Sequence, residues 1–191
     1  MAVSVKRWLA RGDLFWANPA SQHSAGKHAR ARLDEVTRFL LETFKLPSSS
    51  HQVIYHSGAT EGVNAWVQGL ATSKILFVYS PLDHACVKAQ KARLAQHGHE
   101  VLELPVDREG QLNVELAIQH IQAAQKAHHP IRTLLNWTWV HNETGVVWPL
   151  ELALKIKEAT GALVCVVCAQ ATGQVGDWER LFSGLVAYSF S

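Results

Sequence analysis

The stretch Ile75-Leu76-Phe77-Val78-Tyr79-Ser80-Pro81-Leu82-Asp83-His84 organises the rest of the chain. Its first five residues are apolar without interruption, so a strand built from them has to be covered on both faces. Pro81 breaks the strand, and His84 to His97 then reads as helix. The same succession of strand, turn and helix recurs downstream. Glu100 to Leu104 reads as strand, Val114 to Lys126 as helix and Ile131 to Val140 as strand. Pro149 to Ala159 reads as a helix opened by proline near its first turn. Ala162 to Cys168 and Leu185 to Phe190 read as two further strands.

Upstream, Leu33, Val36, Leu40 and Phe44 stand three and four residues apart and predict a helix over Ser24 to Phe44, ending before Pro47. Val53-Ile54-Tyr55 predicts a short strand. It leads into Ser57-Gly58-Ala59-Thr60 and a helix carrying Val63, Trp66 and Leu70. The expected fold is α/β, a mostly parallel sheet of about six or seven strands with helices on both faces. Ligands of such sheets lie at the carboxyl ends of the strands, so the strand-to-helix turns are where chemistry is sought.

Composition sets the outer bounds. The chain has 191 residues, 48% hydrophobic and 18% charged, with 12 Gly and 6 Pro, which excludes collagen-like, mucin-like and disordered classes. A net charge of +2 gives no pull toward nucleic acid or an anionic membrane, and the 11 histidines add charge only in acid. Three cysteines, an odd number, fit a reducing compartment better than a disulfide scaffold. The longest apolar run, Ala162 to Ala169, is too short to span a bilayer, and the first seven residues show no signal-peptide core. A soluble, cytoplasmic protein without repeats or internal boundary is expected.

Three turns are chemically suggestive. In Ser57-Gly58-Ala59-Thr60-Glu61, a glycine at a helix start exposes N–H groups at the positive end of the dipole, an arrangement that suits a phosphate. Thr60 either adds its hydroxyl to that phosphate or caps the helix. Asp83-His84 offers a ring to stack on an aromatic ligand or to carry a proton; alternatively Asp83 is an N-cap and His84 an ordinary first-turn residue. A nucleophilic pair of His84 with Cys86 is set aside, because helical residues two apart point away from each other. His141-Asn142-Glu143-Thr144-Gly145 supplies groups that orient a small ligand, and is equally ordinary loop chemistry. Cys165 and Cys168 have C-x-x-C spacing, but on a strand they point to opposite faces and read as core, with no metal site. The pairs His97/His99 and His128/His129 read as solvated.

Taken in order, these pieces resemble the cysteine desulfurases of the class V aminotransferase family, which use pyridoxal phosphate. The resemblance rests on Asn18-Pro19-Ala20-Ser21-Gln22-His23-Ser24-Ala25-Gly26, Ser57 to Glu61, Asp83-His84, Asn142-Glu143-Thr144-Gly145 with Pro149, and Ala169-Gln170-Ala171-Thr172-Gly173. It covers residues 15–191, which then form an incomplete large domain of the fold-type I kind behind a lead segment, residues 1–14.

The resemblance implies roles. Ala59, Thr60 and their turn bind the cofactor phosphate, with Ser191 as a further contact. His84 stacks on the pyridine ring and is the candidate catalytic proton carrier. Asn142 and Gln170 bond around the phenolic oxygen, Asn142 also meets the substrate carboxylate, and Ala169 lies against the ring. It implies a cysteine-like substrate, a homodimer, a sulfur-acceptor protein and a place in iron–sulfur cluster assembly.

The chain also departs from the pattern. Val167 stands where the family has the Asp that pairs the ring nitrogen, and His141 stands in place of a second Asn. The sequence stops at Ser191, before the positions of the Schiff-base lysine and the persulfide cysteine. Loss of activity in this 191-residue chain is therefore expected, with a non-catalytic remnant or interaction module as the alternative.

Overall fold

A computed structural model describes residues 7, 10, 17–129, 131–172 and 187–189. The chain divides into two compact units, Met1–Ile54 and Tyr55–Ser191, each taken by itself below.

In the first unit, α1 (Ser24–Thr43) begins where the His23 ring accepts a bond from the Gly26 N–H, 3.2 Å away. Ahead of it, Asn18 holds a turn by accepting from Ser21 N through its carbonyl (3.0 Å) and from Ala20 N through its side chain (2.9 Å). That turn lies so close to the helix that a Cβ on Gly26 would stand 2.4 Å from the Ser21 carbonyl oxygen. Glycine is a steric requirement there, and Gly26 is the buried residue of α1. The apolar stripe read from the sequence is only partly covered: Phe44 is buried and Leu33 and Leu40 are half-buried, whereas Val36 is exposed.

Val53-Ile54-Tyr55 forms no strand, contrary to expectation. Ile54 is 74% exposed, and among the described residues no strand pairs with the segment. Apolar, β-branched composition makes a strand only where a neighbour supplies hydrogen bonds and cover.

The second unit runs α2 (Ala59–Leu70), β1 (Ile75–Tyr79), α3 (Ala85–Gln96), β2 (Glu100–Glu103), α4 (Val114–Ala127), β3 (Arg132–Thr138), α5 (Leu150–Thr160), β4 (Leu163–Val167) and β5 (Ala187–Ser189). The described residues give one five-stranded sheet in the order β2-β1-β3-β4-β5, and every neighbouring pair is parallel. The fold class read from the sequence stands, and five of the six or seven strands expected lie among the described residues.

All five residues of β1 are buried, as uninterrupted apolar composition requires. Ile75, Phe77 and Tyr79 face a cluster with Val63 and Val67 of α2, Val87 and Leu94 of α3, Leu134 and Val167. Leu76 and Val78 point to the other face by the period of two, where α4 and α5 pack on each other and on the sheet. The chain leaves β1 for β2 on one side and returns past it to β3 on the other. The carboxyl ends of β1 and β3 therefore border a topological switch point, the usual crevice for a ligand in such sheets.

Candidate functional site

Because the strands are parallel, the segments after β1, β3 and β4 leave from one edge, carrying His84, Asn142 and Ala169-Gln170 respectively. Helix α2 packs on the sheet, and its carboxyl end feeds the amino end of β1 through a short turn. Its amino end, with Ala59 and Thr60, consequently lies toward the same carboxyl edge. Six of the seven residues singled out from the sequence are thus on one side of the sheet; the seventh, Ser191, lies outside the described residues.

The N-cap of α2 is Gly58, with no side-chain cap bond, so Thr60 is not the cap. The Thr60 hydroxyl has no hydrogen-bond partner among the described residues, and its carbonyl accepts from the Asn64 amide at 2.7 Å. Gly58 is extended (φ 162°), a conformation open to any residue, and a Cβ there would meet nothing within 4 Å. Its missing side chain relieves neither strain nor crowding and instead leaves the N–H groups of the first turn unobstructed. Ser57 is engaged elsewhere, its N–H and hydroxyl each donating to Glu61 Oε2 at 2.7 Å. The Ser57 backbone bond is the main reason the Glu61 carboxyl sits below its usual range.

At α3, His84 is the N-cap, not Asp83. Its Nδ1 accepts from the Cys86 N–H at 3.2 Å, and the Cys86 sulfur lies 3.2 Å from the same nitrogen. The expectation that these side chains point apart fails because it holds only inside a helix. His84 precedes the helix with extended backbone (ψ 151°), which swings its ring over the first turn. Its exposed ring shares the sheet edge with the other candidates.

Asp83 is instead buried, 1% exposed. Its Oδ2 accepts from Ser80 N at 2.9 Å and from the Asn136 amide of β3 at 3.0 Å, tying together the two strands that border the switch point. Asp83 Oδ1 and Asn136 Oδ1 have no partner among the described residues. Burial pushes the Asp83 carboxyl up to about 6, while the Thr138 hydroxyl, the Ser80 N–H and the Asn136 amide restrain the rise.

His141 reinforces this link. Its Nδ1–H donates to the Leu82 carbonyl at 3.3 Å and its ring meets Trp148 edge-on at 4.6 Å. Burial lowers its pKa. Trp148 in turn donates through Nε1 to the Gly110 carbonyl at 2.9 Å and packs 5.1 Å from Trp137. These rings anchor a small hairpin, closed by the Val140–Val147 bridge, whose exposed tip carries Asn142. The sequence reading passed over Ser80, Asn136, Thr138 and Trp148. The available signal was Asn136 and Thr138, two polar residues with one apolar residue between them near the end of an otherwise apolar strand, hence on one face.

At the end of β4, Val167 belongs to the apolar cluster and is 7% exposed; Ala169 is half-buried against that cluster and Gln170 is exposed. The three cysteines are free thiols. Burial pushes Cys165 up to about 12 and raises Cys168 as well. Among the described residues, no group of three or more His, Cys, Asp or Glu is placed to hold a metal ion, and no helix is long and apolar enough to cross a membrane.

Residues 13–176 match the family described as aminotransferase class-V, and the chain belongs to that family. A cysteine desulfurase from Cereibacter sphaeroides is 30% identical over 164 residues, covering 84% of this chain and 40% of the relative. A NifS-like protein from Rickettsia africae superposes with a TM-score of 0.81 at 20% identity, covering 99% of this chain and 51% of that one. DndA from Streptomyces lividans gives a TM-score of 0.69 at 28% identity, covering 93% and 48%. The chain therefore spans about 40% of the curated relative and about half of the solved chains.

Members of the family depend on pyridoxal phosphate. The residues present fit one end of that cofactor and not the other. Unobstructed N–H groups at the amino end of α2, with the unpartnered Thr60 hydroxyl, form a donor set for a phosphate. Val167 offers only hydrocarbon where the family has a carboxylate for the ring nitrogen, and its surroundings are apolar.

Proposed function

We propose that residues 15–191 are the large-domain part of a pyridoxal-phosphate-dependent cysteine desulfurase-type protein, whose reaction takes sulfur from cysteine and leaves alanine. The observation that carries this reading is the gathering of the α2 amino end, His84, Asn142 and Ala169-Gln170 at one carboxyl edge. The cofactor supplies an electron sink for the amino acid's α-carbon when bound.

The chain's own residues do the rest. The Ala59 and Thr60 N–H groups and the Thr60 hydroxyl hold the phosphate. His84, fixed by the Cys86 N–H, lies over the ring and carries a proton on its remaining nitrogen. Asn142 and Gln170 donate to the phenolic oxygen, Asn142 also meets the substrate carboxylate, and Ala169 limits the ring on one face. Ser191 is a further phosphate contact. The whole protein works as a cytoplasmic homodimer that passes sulfur to an acceptor protein, as iron–sulfur cluster assembly requires.

A second reading, a non-catalytic module that retains the fold, is favoured by Val167. A buried hydrocarbon beside a ring nitrogen stabilises the neutral pyridine and weakens it as an electron sink.

Titration of the chain with pyridoxal phosphate, followed by absorbance, tests both readings. Weak binding displaced by inorganic phosphate and lost in Thr60→Ala is expected; binding indifferent to both refutes the assigned site. Alanine and sulfide release above the cofactor-only background is expected to be absent, and Val167→Asp alone is expected not to restore it. Release by the unmodified chain overturns the second reading.

A further inference from the structure

At the opposite, amino edge of the sheet, the last turns of α2 and α3 border a half-open cavity of about 180 Å³ lined by Gln68, Ala71, Arg93, Leu94, His97 and His99. Helix carboxyl ends attract cations, and His97 behaves accordingly, its Nδ1–H donating to the Arg93 carbonyl at 2.7 Å. Arg93 does not. Its Nε is buried without an acceptor, and its guanidinium makes no ion pair among the described residues. An arginine that lines a cavity with its guanidinium free of any carboxylate has the chemistry of an oxyanion site rather than of a capped helix.

His99 is half-buried rather than solvated, and its role follows from its partner. Its Nδ1 accepts from the Ile75 N–H at 3.3 Å, so the neutral ring carries its proton on Nε2 and remains a donor. Burial first, and then the positive charges of His97, Arg93 and Lys74, hold its pKa below the usual value, a sign of positive local potential. The nearby carboxylate, Glu100, is already committed to Lys74 at 2.8 Å and to His128 at 3.5 Å. The carbonyl ends of α2 and α3 oppose an anion with about half a charge each, so the site depends on the full charge of Arg93.

We propose that this cavity binds a small oxyanion, a phosphate or sulfate group held by the Arg93 guanidinium with His99 Nε2–H and the Gln68 amide as further donors. It is independent of the cofactor reading, since it lies at the other end of the strands.

The test follows the His99 ring resonances of the full chain by NMR during titration with inorganic sulfate and, in parallel, with glycerol 3-phosphate. Saturable shifts at His99 with either probe are expected. Binding should weaken about tenfold or more in Arg93→Gln, stay within a few-fold in Arg93→Lys, and be unchanged in Thr60→Ala. Circular dichroism confirms that each variant is folded, and Gln68→Leu serves as a second probe of the cavity, expected to weaken binding. No shift with either probe, or equal affinity in wild type and Arg93→Gln, overturns the proposal.

Discussion

Replacing Asp83 by Asn should stabilise the protein, and only above acid pH. In the folded chain burial lifts the Asp83 carboxyl from 3.8 to about 6. Between these values the folded chain holds a proton that the unfolded chain has released, so stability falls as pH rises, and the full loss is present above the folded value. At about 1.4 kcal/mol per unit, the shift amounts to about 3 kcal/mol at neutral pH.

An asparagine keeps an oxygen for Ser80 N and the Asn136 amide and carries no charge to desolvate. It therefore behaves like the protonated acid at every pH. Urea denaturation of wild type and Asp83→Asn at about pH 4.5 and pH 8 is expected to show the variant's advantage growing by about 2 kcal/mol, or about 4–8 °C in Tm. Asp83→Ala should destabilise at both pH values, because it strands the Ser80 N–H and the Asn136 amide. An Asp83→Asn advantage that does not grow with pH, or a variant less stable than wild type at pH 8, refutes this account of the buried carboxyl.

Three further outcomes follow from the site and the turn. Gly58→Ala should leave stability within about 0.5 kcal/mol, since the new Cβ meets nothing within 4 Å, yet weaken phosphate-displaceable cofactor binding, as read by absorbance titration. Gly26→Ala should cost about 1–3 kcal/mol through collision with the Ser21 carbonyl, visible as faster amide exchange over the Asn18–Gly26 segment. In the folded chain at neutral pH, iodoacetamide should label Cys86 and spare Cys165 and Cys168, whose burial keeps them as thiols, with peptide mass spectrometry as the readout.

Most of the sheet was readable because β1 and β4 are buried on both faces and their composition admits no other reading. Val53-Ile54-Tyr55 has equally strand-like composition but no partner strand among the described residues, and pairing is not a local property. The same limit applied at the site. Whether Asp83 caps a helix or is buried depends on Asn136, 53 residues away. The contact between His84 and Cys86 was missed for a different reason: a rule for the helix interior was applied across its boundary, where the backbone turns extended. The motif turns themselves were legible because glycine, proline and polar residues after apolar runs mark strand ends.

The bond from His141 to the Leu82 carbonyl, braced by Trp148, fastens the loop that carries His84 to the hairpin that carries Asn142. Both anchors lie beneath the surface, while the residues they present are exposed. The spacing across the switch point is consequently set during folding, like the jaws of a locked calliper. A ligand that spans the two loops spends none of its affinity on assembling them. The gap between His84 and Asn142 thus has its width before anything enters it.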